Sequence, residues 1–171
     1  MKYLPIYLPI LSTNMRIITT DLEAIMYLLE VVYDLINRKD EEEWFDLKEN
    51  WFNPTEIGEY ISALSNAAVV CGKNYGYILW GVNDETHIIT GCDINYNCTY
   101  KKEPWQNYLA RNLNPSIAFE FKELEIDSKR VVLLIIPAAS KVPTSFEKIR
   151  FGRIGSSKIK LEKYPEREAI L

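Results

Sequence analysis

The feature that most constrains the fold is a strand, helix and strand pattern between residues 41 and 93. EEEWFDLKEN alternates apolar and polar side chains as a half-buried strand does. WFNPTEIGEYISALSNAAVVCG carries apolar residues at helical spacing; Asn53, Pro54 and Glu56 predict where this helix begins, and Gly72 predicts where it ends. YGYILWGVND is apolar in both phases, which is typical of a strand covered on both faces. This order predicts an α/β (α+β) domain.

The remaining segments extend the same pattern. HIITGCDI predicts a strand paired with YGYILWGV, and PWQNYLARNLN predicts a short helix. IAFEFKELEID and the continuous apolar run RVVLLIIP predict a hairpin whose second strand is central. FEKIRFGRIG predicts a last strand with Ile149 and Phe151 on one face and Lys148 and Arg150 on the other. We therefore expect a single domain with a mixed sheet of about five or six strands and packed helices.

The N-terminal region predicts a separate helix. Residues 1–19 are interpreted as a poorly ordered arm and residues 20–171 as the domain, because Thr20 and Glu23 have the spacing of a capping box for a helix over 20–37. This helix carries two neighbouring apolar stripes, so it needs cover on two sides. Packing against the domain and a homodimer contact are both compatible with that pattern.

Charge is distributed unevenly along the chain. The 171 residues have a net charge of -4, which argues against coating of nucleic acid by bulk charge alone. Residues 40–59 hold eight acids and one base, whereas residues 141–163 hold seven bases and two acids. The odd count of three cysteines indicates a reducing compartment, and we expect a cytoplasmic protein with no membrane partner.

A family resemblance follows from the order of several segments. EWFDLK, NPTEIGEYISALSNAA, YGYILWGVNDETHIITG, WQNYLARNLNPSIAFEF, RVVLLIIPAA and RFGRIGSSKIKLEKYPERE together resemble the AlbA-like domain of the Schlafen family. This domain is found in many bacterial DNA-binding proteins and transcriptional regulators, and the resemblance covers residues 38–170. It implies the AlbA-like fold and a nucleic-acid partner, with DNA favoured over RNA.

The resemblance also implies a nuclease alternative. Schlafen members that cut RNA use an acid five residues before the acid of an EFK-like motif, and Glu41 and Asp46 match these two positions. Clustered carboxylates of this kind hold Mg²⁺ or Mn²⁺. The family's third acid lies in a turn before the next strand, where the nearest equivalent here is the uncharged Asn74. No metal or other cofactor is expected unless this alternative holds, and a solvated acidic turn is the structural interpretation of the same residues.

The basic C-terminal stretch carries the binding hypothesis. Its glycines let the backbone approach a ligand closely, and its cations and hydroxyl groups suit phosphate oxygens. The predicted nucleic-acid-binding residues are Lys48, Lys148, Arg150, Arg153, Ser156, Lys158 and Lys160. A basic edge strand protected by its charge is the structural alternative, and for Lys48 the alternative is a simple ion pair with Asp46. The sequence therefore predicts a nucleic-acid-binding module of a regulatory or defence protein, with a metal-dependent nuclease and an oligomerisation domain as alternatives.

Overall fold

The structure is a computed structural model that describes the backbone of residues 13–171 and the side chains from residue 21 onward. The chain divides between Leu35 and Ile36 into two compact units. The described part of the first unit is helical, and the strands of the described residues all lie in the second unit. The mixed α/β fold class predicted from the sequence is confirmed.

Helix α1 spans Thr13–Ile36 and begins before the predicted start at Thr20. No proline or glycine interrupts residues 13–19, so nothing in the sequence stops the helix there. This part of the predicted arm is therefore helical, and the rest of it, residues 1–12, lies outside the described residues. Although α1 has 24 residues, no helix in the described part of the chain is long and apolar enough to cross a membrane.

The second unit contains three further α-helices and ten strands. In chain order they are β1 (Phe45–Lys48), α2 (Pro54–Val70), β2 (Tyr75–Trp80), β3 (Thr99–Tyr100), β4 (Glu103–Pro104), α3 (Trp105–Asn112), β5 (Leu113–Asn114), β6 (Glu120–Ile126), β7 (Lys129–Pro137), β8 (Ser145–Phe146), β9 (Ile149–Ile154), β10 (Ser157–Lys160), a 3₁₀ helix (Leu161–Lys163) and α4 (Pro165–Glu168).

The main sheet has the strand order β1-β2-β7-β6. Strands β1 and β2 are parallel, with Asp46 opposite Ile78, and the other pairs are antiparallel. The central position predicted for RVVLLIIP is confirmed, because β7 lies between β2 and β6. Ile78, Trp80 and Leu134 are completely buried in the core, which explains why these strands are apolar in both phases.

Helix α2 begins as the sequence predicts. The Asn53 side-chain oxygen accepts hydrogen bonds from the N–H groups of Thr55 and Glu56, at 3.1 and 3.2 Å, and Pro54 occupies the first turn. After the helix ends, Gly72 adopts a φ of +64° that favours glycine. The cap and the stop are local interactions, so they fix the helix without help from the rest of the fold.

A second sheet, of order β10-β9-β8-β5, lies on the other side of α2, and β3 and β4 form a small separate pair. The strands are thus divided between two four-stranded sheets and a two-stranded one, instead of the single mixed sheet that the sequence predicts. The physical reason lies in α2: the Asn66 side chain bonds to Thr144 and Phe151, and the Ser62 hydroxyl bonds to the same two residues. These bonds hold β8 and β9 against the helix, away from the main sheet.

The strand predicted for HIITGCDI is replaced by a loop with one isolated bridge, between Val82 and Ile89. Gly81, His87 and Gly91 all have positive φ angles, of 89°, 57° and 86°, which interrupt an extended strand. The loop that results places Asp84 and Glu85 beside the end of β1, in the same cavity as Glu41 and Asp46.

Candidate functional site

Arg153 is the central residue of a charged cluster, and its side chain is completely buried. Its Nη2 atom donates to Asp46 Oδ1 at 2.9 Å and to the Ser156 carbonyl at 2.9 Å, and Nη1 donates to the Phe45 carbonyl at 2.8 Å. Glu41 Oε2 lies 3.6 Å from Nη2. The guanidinium therefore joins β1 of the main sheet to the β9–β10 hairpin of the second sheet. Its burial removes Arg153 from the predicted phosphate-binding set.

The second oxygen of Asp46 faces a lysine. Lys48 Nζ lies 2.8 Å from Asp46 Oδ2, although no hydrogen-bond donor in the described chain is aligned with that oxygen. Burial is the largest single effect on Lys48 and opposes its charged form, but the attraction and hydrogen bond of Asp46, together with the attraction of Tyr60 and Glu41, outweigh it and raise the pKa of the lysine. Lys48 Nζ also lies over the rings of Trp51 and Tyr60, at 5.7 and 5.5 Å. Lys48 therefore makes the ion pair that was the structural alternative to phosphate binding.

Glu43, Glu56 and Glu59 of the acidic segment also contact the C-terminal part of the chain. Glu43 accepts from Arg167 at 2.9 Å and from the Gly155 N–H at 3.1 Å. Lys158 forms an ion pair with Glu59 and lies 3.7 Å from Glu56. The predicted phosphate-binding loop is thus bonded to the acidic segment, and Lys158, like Lys48, has a carboxylate partner inside the protein.

An acidic cavity of about 530 Å³ lies beside this cluster. Its lining residues are Lys39, Asp40, Glu41, Asp46, Lys48, Asp84, Glu85, His87 and Ser156. The structure does not bring Asn74, the sequence equivalent of the family's third acid, into this lining, because Asn74 precedes β2 whereas the cavity lies where β1 and β2 end. Asp84, in the loop after β2, lines the cavity together with Glu41 and Asp46. His87, which also lines this cavity, has its Nδ1 atom 3.2 Å from the Ile36 carbonyl.

Glu41 and Asp46, the two carboxylates of the acidic cavity that match the family's metal ligands, are engaged by groups of the protein itself. Asp46 faces Arg153 and Lys48, and the second carboxylate, Glu41, accepts the Leu47 N–H at 2.7 Å. Within the described residues, no group of three or more histidine, cysteine, aspartate or glutamate side chains is placed to hold a metal ion. One oxygen of each of these two carboxylates is therefore already bonded within the protein, and the other oxygen faces a cation, Lys48 for Asp46 and Arg153 for Glu41.

The pKa of the buried Glu41 carboxyl differs from its usual value, which makes its environment measurable. Burial raises the pKa of the Glu41 carboxyl, and the charge of Asp46 raises it further, while the Leu47 N–H, Arg153 and Lys48 act in the opposite direction. A carboxyl whose pKa is raised by folding stabilises the fold most at low pH, and this contribution is lost as the pH rises through the folded pKa.

We therefore expect Glu41→Gln to remove part of the pH dependence of stability. Between about pH 4 and pH 7, the wild-type free energy of unfolding should gain less with rising pH than that of the variant, because only the wild type has a carboxyl with a raised pKa to ionise. Urea unfolding across this pH range measures the difference. Parallel pH profiles for the two proteins would contradict the assignment.

A second cavity, of about 790 Å³, is rich in cations. We call it the basic cavity, and its lining residues are Arg111, Asn112, Asn114, Val142, Pro143, Ser145, Glu147, Lys148 and Arg150. The two-residue turn between β8 and β9 supplies Glu147 and Lys148, whose φ angles of 47° and 69° are those of a tight hairpin turn. Helix α3 supplies Arg111 from its last turn.

Most cations of the basic cavity are exposed and held only by surface partners. The exposed fractions of the Arg111 and Arg150 side chains are 64% and 53%. Arg111 pairs with Glu103 through two hydrogen bonds, of 2.6 and 3.1 Å, and Arg150 pairs with Glu168. Exposed ion pairs of this kind contribute only about 0–1 kcal/mol, so a phosphate group can compete for these cations.

The predicted binding residues are thus divided by the fold. Lys148 and Arg150 lie in the basic cavity, Lys160 and Ser156 are exposed elsewhere, and the other three are buried or paired with carboxylates. Arg111 was missed, because only the pairing of β5 with β8 brings the end of α3 beside the hairpin. The burial of Arg153 had a signal in the sequence: it shares the phase of Ile149 and Phe151 along the strand.

Comparison with known proteins identifies the family. The profile of the family described as Schlafen, AlbA_2 matches residues 41–162, which is well over half of the chain. The chain belongs to this Schlafen family. The match includes both acids of the nuclease alternative and most of the basic C-terminal stretch, so the resemblance inferred from the sequence is confirmed.

Two solved structures are similar to the chain at low identity. The DIP2311 protein from Corynebacterium diphtheriae is 15% identical with a TM-score of 0.48, over 82% of this chain and 27% of that one. The N-terminal domain of a RecG-related protein from Nitrosomonas europaea is 19% identical with a TM-score of 0.42, over 75% of this chain and 88% of that one. The chain therefore spans about a quarter of the length of the first structure. No curated protein matches the chain.

Proposed function

We propose that this chain is a nucleic-acid-binding module that contacts phosphates through the basic cavity. The observation that carries the proposal is the convergence of Arg111, Lys148 and Arg150 on one concave surface, whose lining residues include one carboxylate, Glu147. Glu103 and Glu168 pair with the two arginines. Membership of the Schlafen AlbA_2 family supports the same class of partner. By the resemblance described above, the partner is DNA in preference to RNA, and the module serves a regulatory or defence protein.

The single carboxylate of the basic cavity has a partner of its own. Glu147 Oε1 accepts a hydrogen bond of 2.6 Å from the Tyr108 hydroxyl. Burial raises the pKa of Tyr108, and the bond to Glu147 raises it further, so the hydroxyl keeps its proton and the bond at neutral pH. Part of the carboxylate's hydrogen-bonding capacity is therefore used inside the protein, while Arg111 and Arg150 can exchange their carboxylate partners for phosphate.

Charge distribution supports this surface over the predicted loop at residues 153–158. Arg153 is buried, and Lys158 is paired with Glu59, so neither offers a free cation to a phosphate. Lys160 is exposed on β10 and can add a contact for a longer nucleic acid. Phosphate contacts position a protein on nucleic acid without reading its sequence, so the proposal implies binding with little sequence preference.

The double substitution Lys148→Glu, Arg150→Glu is expected to weaken binding strongly. Removal of one cation from a phosphate should reduce the slope of log K against log salt by about 1, so the slope should fall by about 2 for the two substitutions. Fluorescence anisotropy with labelled single- and double-stranded DNA and RNA across a salt series measures affinity and slope together.

Lys122→Glu is the matched control, because Lys122 lies on β6 of the main sheet and pairs with a surface glutamate, Glu120, as Arg150 pairs with Glu168. This variant changes the net charge in the same direction but leaves the basic cavity intact. Unchanged affinity in the double variant, or an equal loss in the control, would contradict the proposal.

A metal-dependent nuclease that uses Glu41 and Asp46 is the alternative function. The observation in its favour is that Glu41, Asp46 and Asp84 line one cavity, and the engagement of Asp46 by Arg153 counts against it. The same probes incubated with Mn²⁺ and separated on a gel distinguish the two functions. Intact probes support binding alone, and cleavage abolished by Glu41→Gln supports the nuclease.

An interaction through α1 is the remaining candidate, and it is compatible with the other two. Leu22, Ile25, Met26, Tyr27 and Tyr33 have exposed fractions between 44% and 59%, an unusually apolar surface for one helix. Light scattering coupled to size exclusion tests whether this helix forms the predicted homodimer. A monomer at all concentrations would remove the homodimer from the proposal.

A further inference from the structure

We infer that the Arg153 guanidinium is a permanent internal cation, which holds the place between Glu41 and Asp46 where a divalent metal ion would bind. In this chain the two family acids are then a structural clamp for the fold instead of metal ligands. The inference is independent of the proposed phosphate binding at the basic cavity.

The distances place one nitrogen between the two carboxylates. Arg153 Nη2 lies 2.9 Å from Asp46 Oδ1 and 3.6 Å from Glu41 Oε2. A divalent cation bound by both carboxylates needs oxygen distances of about 2.0–2.6 Å, and it would therefore occupy the space of this nitrogen. Metal and guanidinium exclude each other at this point.

The guanidinium is fixed by more than the carboxylates. Its remaining donors reach the Phe45 and Ser156 carbonyls, and its Nε atom is buried without a hydrogen-bond partner in the described chain. The Arg153 backbone is held as well, because its carbonyl accepts a 2.6 Å hydrogen bond from Arg167. To move away, the side chain would have to break these bonds, and no second buried carboxylate among the described core residues could receive it.

The local charges are already balanced. Arg153 and Lys48 face the two oxygens of Asp46, and Glu41 supplies the second negative charge, so two cations oppose two carboxylates. Arginine cannot lose its proton in a protein, and the ion pair raises the pKa of Lys48, so both positive charges persist at neutral pH. A divalent ion would add two uncompensated charges to a buried site.

The ion pair between Asp46 and Arg153 gives the family acids a structural role that needs no metal ion. Asp46 lies on β1 of the main sheet and Arg153 on β9 of the second sheet, so their contact joins the two sheets. Glu43 reinforces the same junction through Arg167 and the Gly155 N–H. The acidic cavity outside the clamp keeps the exposed acids Asp84 and Glu85, which repel the phosphates of a nucleic acid.

Counting bound Mn²⁺ by electron paramagnetic resonance tests the inference on the folded protein. Wild type and Glu41→Gln should leave the same amount of free Mn²⁺ at every concentration, with no site tighter than about 1 mM. A wild-type chain that binds one Mn²⁺ more tightly, and loses it on Glu41→Gln, would overturn the inference.

Removal of the Arg153 guanidinium should allow Mn²⁺ to bind between Glu41 and Asp46. In Arg153→Met, which is neutral and keeps an unbranched stem without the guanidinium, Mn²⁺ should raise Tm by at least about 3 °C at concentrations well above its Kd. Wild type and Arg153→Lys, which keep a cation, should show no such shift, and adding Glu41→Gln to the methionine variant should abolish it.

A folded Arg153→Met protein without any response to Mn²⁺ would overturn the claim that the guanidinium holds a cation's place. Circular dichroism establishes first whether this variant is folded. If it does not fold, the comparison of wild type with Glu41→Gln decides the question, because that comparison leaves Arg153 intact.

Discussion

Replacing Asp46 by asparagine is expected to lower the free energy of unfolding by about 3–5 kcal/mol, because it leaves the Arg153 guanidinium buried without its closest counter-charge. The Asp46 side chain is 2% exposed and that of Arg153 is fully buried, so water cannot replace the missing carboxylate. The remaining acid, Glu41, is 3.6 Å away and compensates only in part. Urea unfolding monitored by tryptophan fluorescence measures the change.

A double-mutant cycle separates the ion pair from other effects of substitution. Arg153→Met alone should cost a similar amount, because it leaves Asp46 buried with Lys48 as its only cation. The double variant should cost less than the sum of the two, since neither charge is then left alone. Asp84→Asn is the matched control: it removes an exposed carboxylate from the same cavity and should change stability by less than about 0.5 kcal/mol. An Asp46→Asn protein as stable as this control would refute the clamp.

Replacing Asn66 by alanine is expected to lower the free energy of unfolding by about 3–5 kcal/mol. The Asn66 amide donates to the carbonyls of Thr144 and Phe151, at 2.8 and 2.7 Å, and its oxygen accepts the Thr144 N–H at 2.7 Å. The Phe151 carbonyl and the Thr144 N–H would lose this partner, at a cost of about 1–3 kcal/mol per group, while the Thr144 carbonyl would keep the Ser62 hydroxyl. Because Asn66 is only 1% exposed, water cannot reach most of the vacated positions.

The control for this prediction is Asn74→Ala, the same chemical change at an exposed loop position. Thermal and urea unfolding of both variants should show a large loss for Asn66 and almost none for Asn74. Ser62 and Ser65 bond to the same Thr144 segment and stay in place. A small loss at Asn66 would mean that these serines hold the second sheet on α2 without the asparagine.

These two predictions concern the two polar junctions of the fold. Arg153 and Asp46 join the main sheet to the β9–β10 hairpin, and Asn66 joins helix α2 to β8 and β9. Both junctions position the β8–β9 turn, which carries Lys148 of the basic cavity. A loss of either junction should therefore also weaken nucleic-acid binding, without any change to a cation that contacts phosphate.

The local part of the fold followed from the sequence. Asn53 and Pro54 at the start of α2, Gly72 after its end, and the doubly apolar runs of β2 and β7 depend on residues within a few positions of each other. Periodicity and capping act over that range, so the sequence determined these elements and, through their order, the family. The sheet division was not determined in this way, because it depends on bonds from Ser62 and Asn66 to residues far along the chain.

The charged residues of the candidate site could likewise be predicted only in part from the sequence. The sequence showed that an acidic segment at residues 40–59 and a basic segment at residues 141–163 exist, and it suggested that the basic one faces nucleic acid. Only the tertiary structure decided that charges of the two segments pair with each other. Asp46, for example, is bonded to Arg153, 107 positions along the chain. An ion pair depends on distance in space and on burial, neither of which is encoded in charge alone. The cations left for a partner are therefore those that the fold leaves exposed, among them Lys148, Arg150 and the unpredicted Arg111.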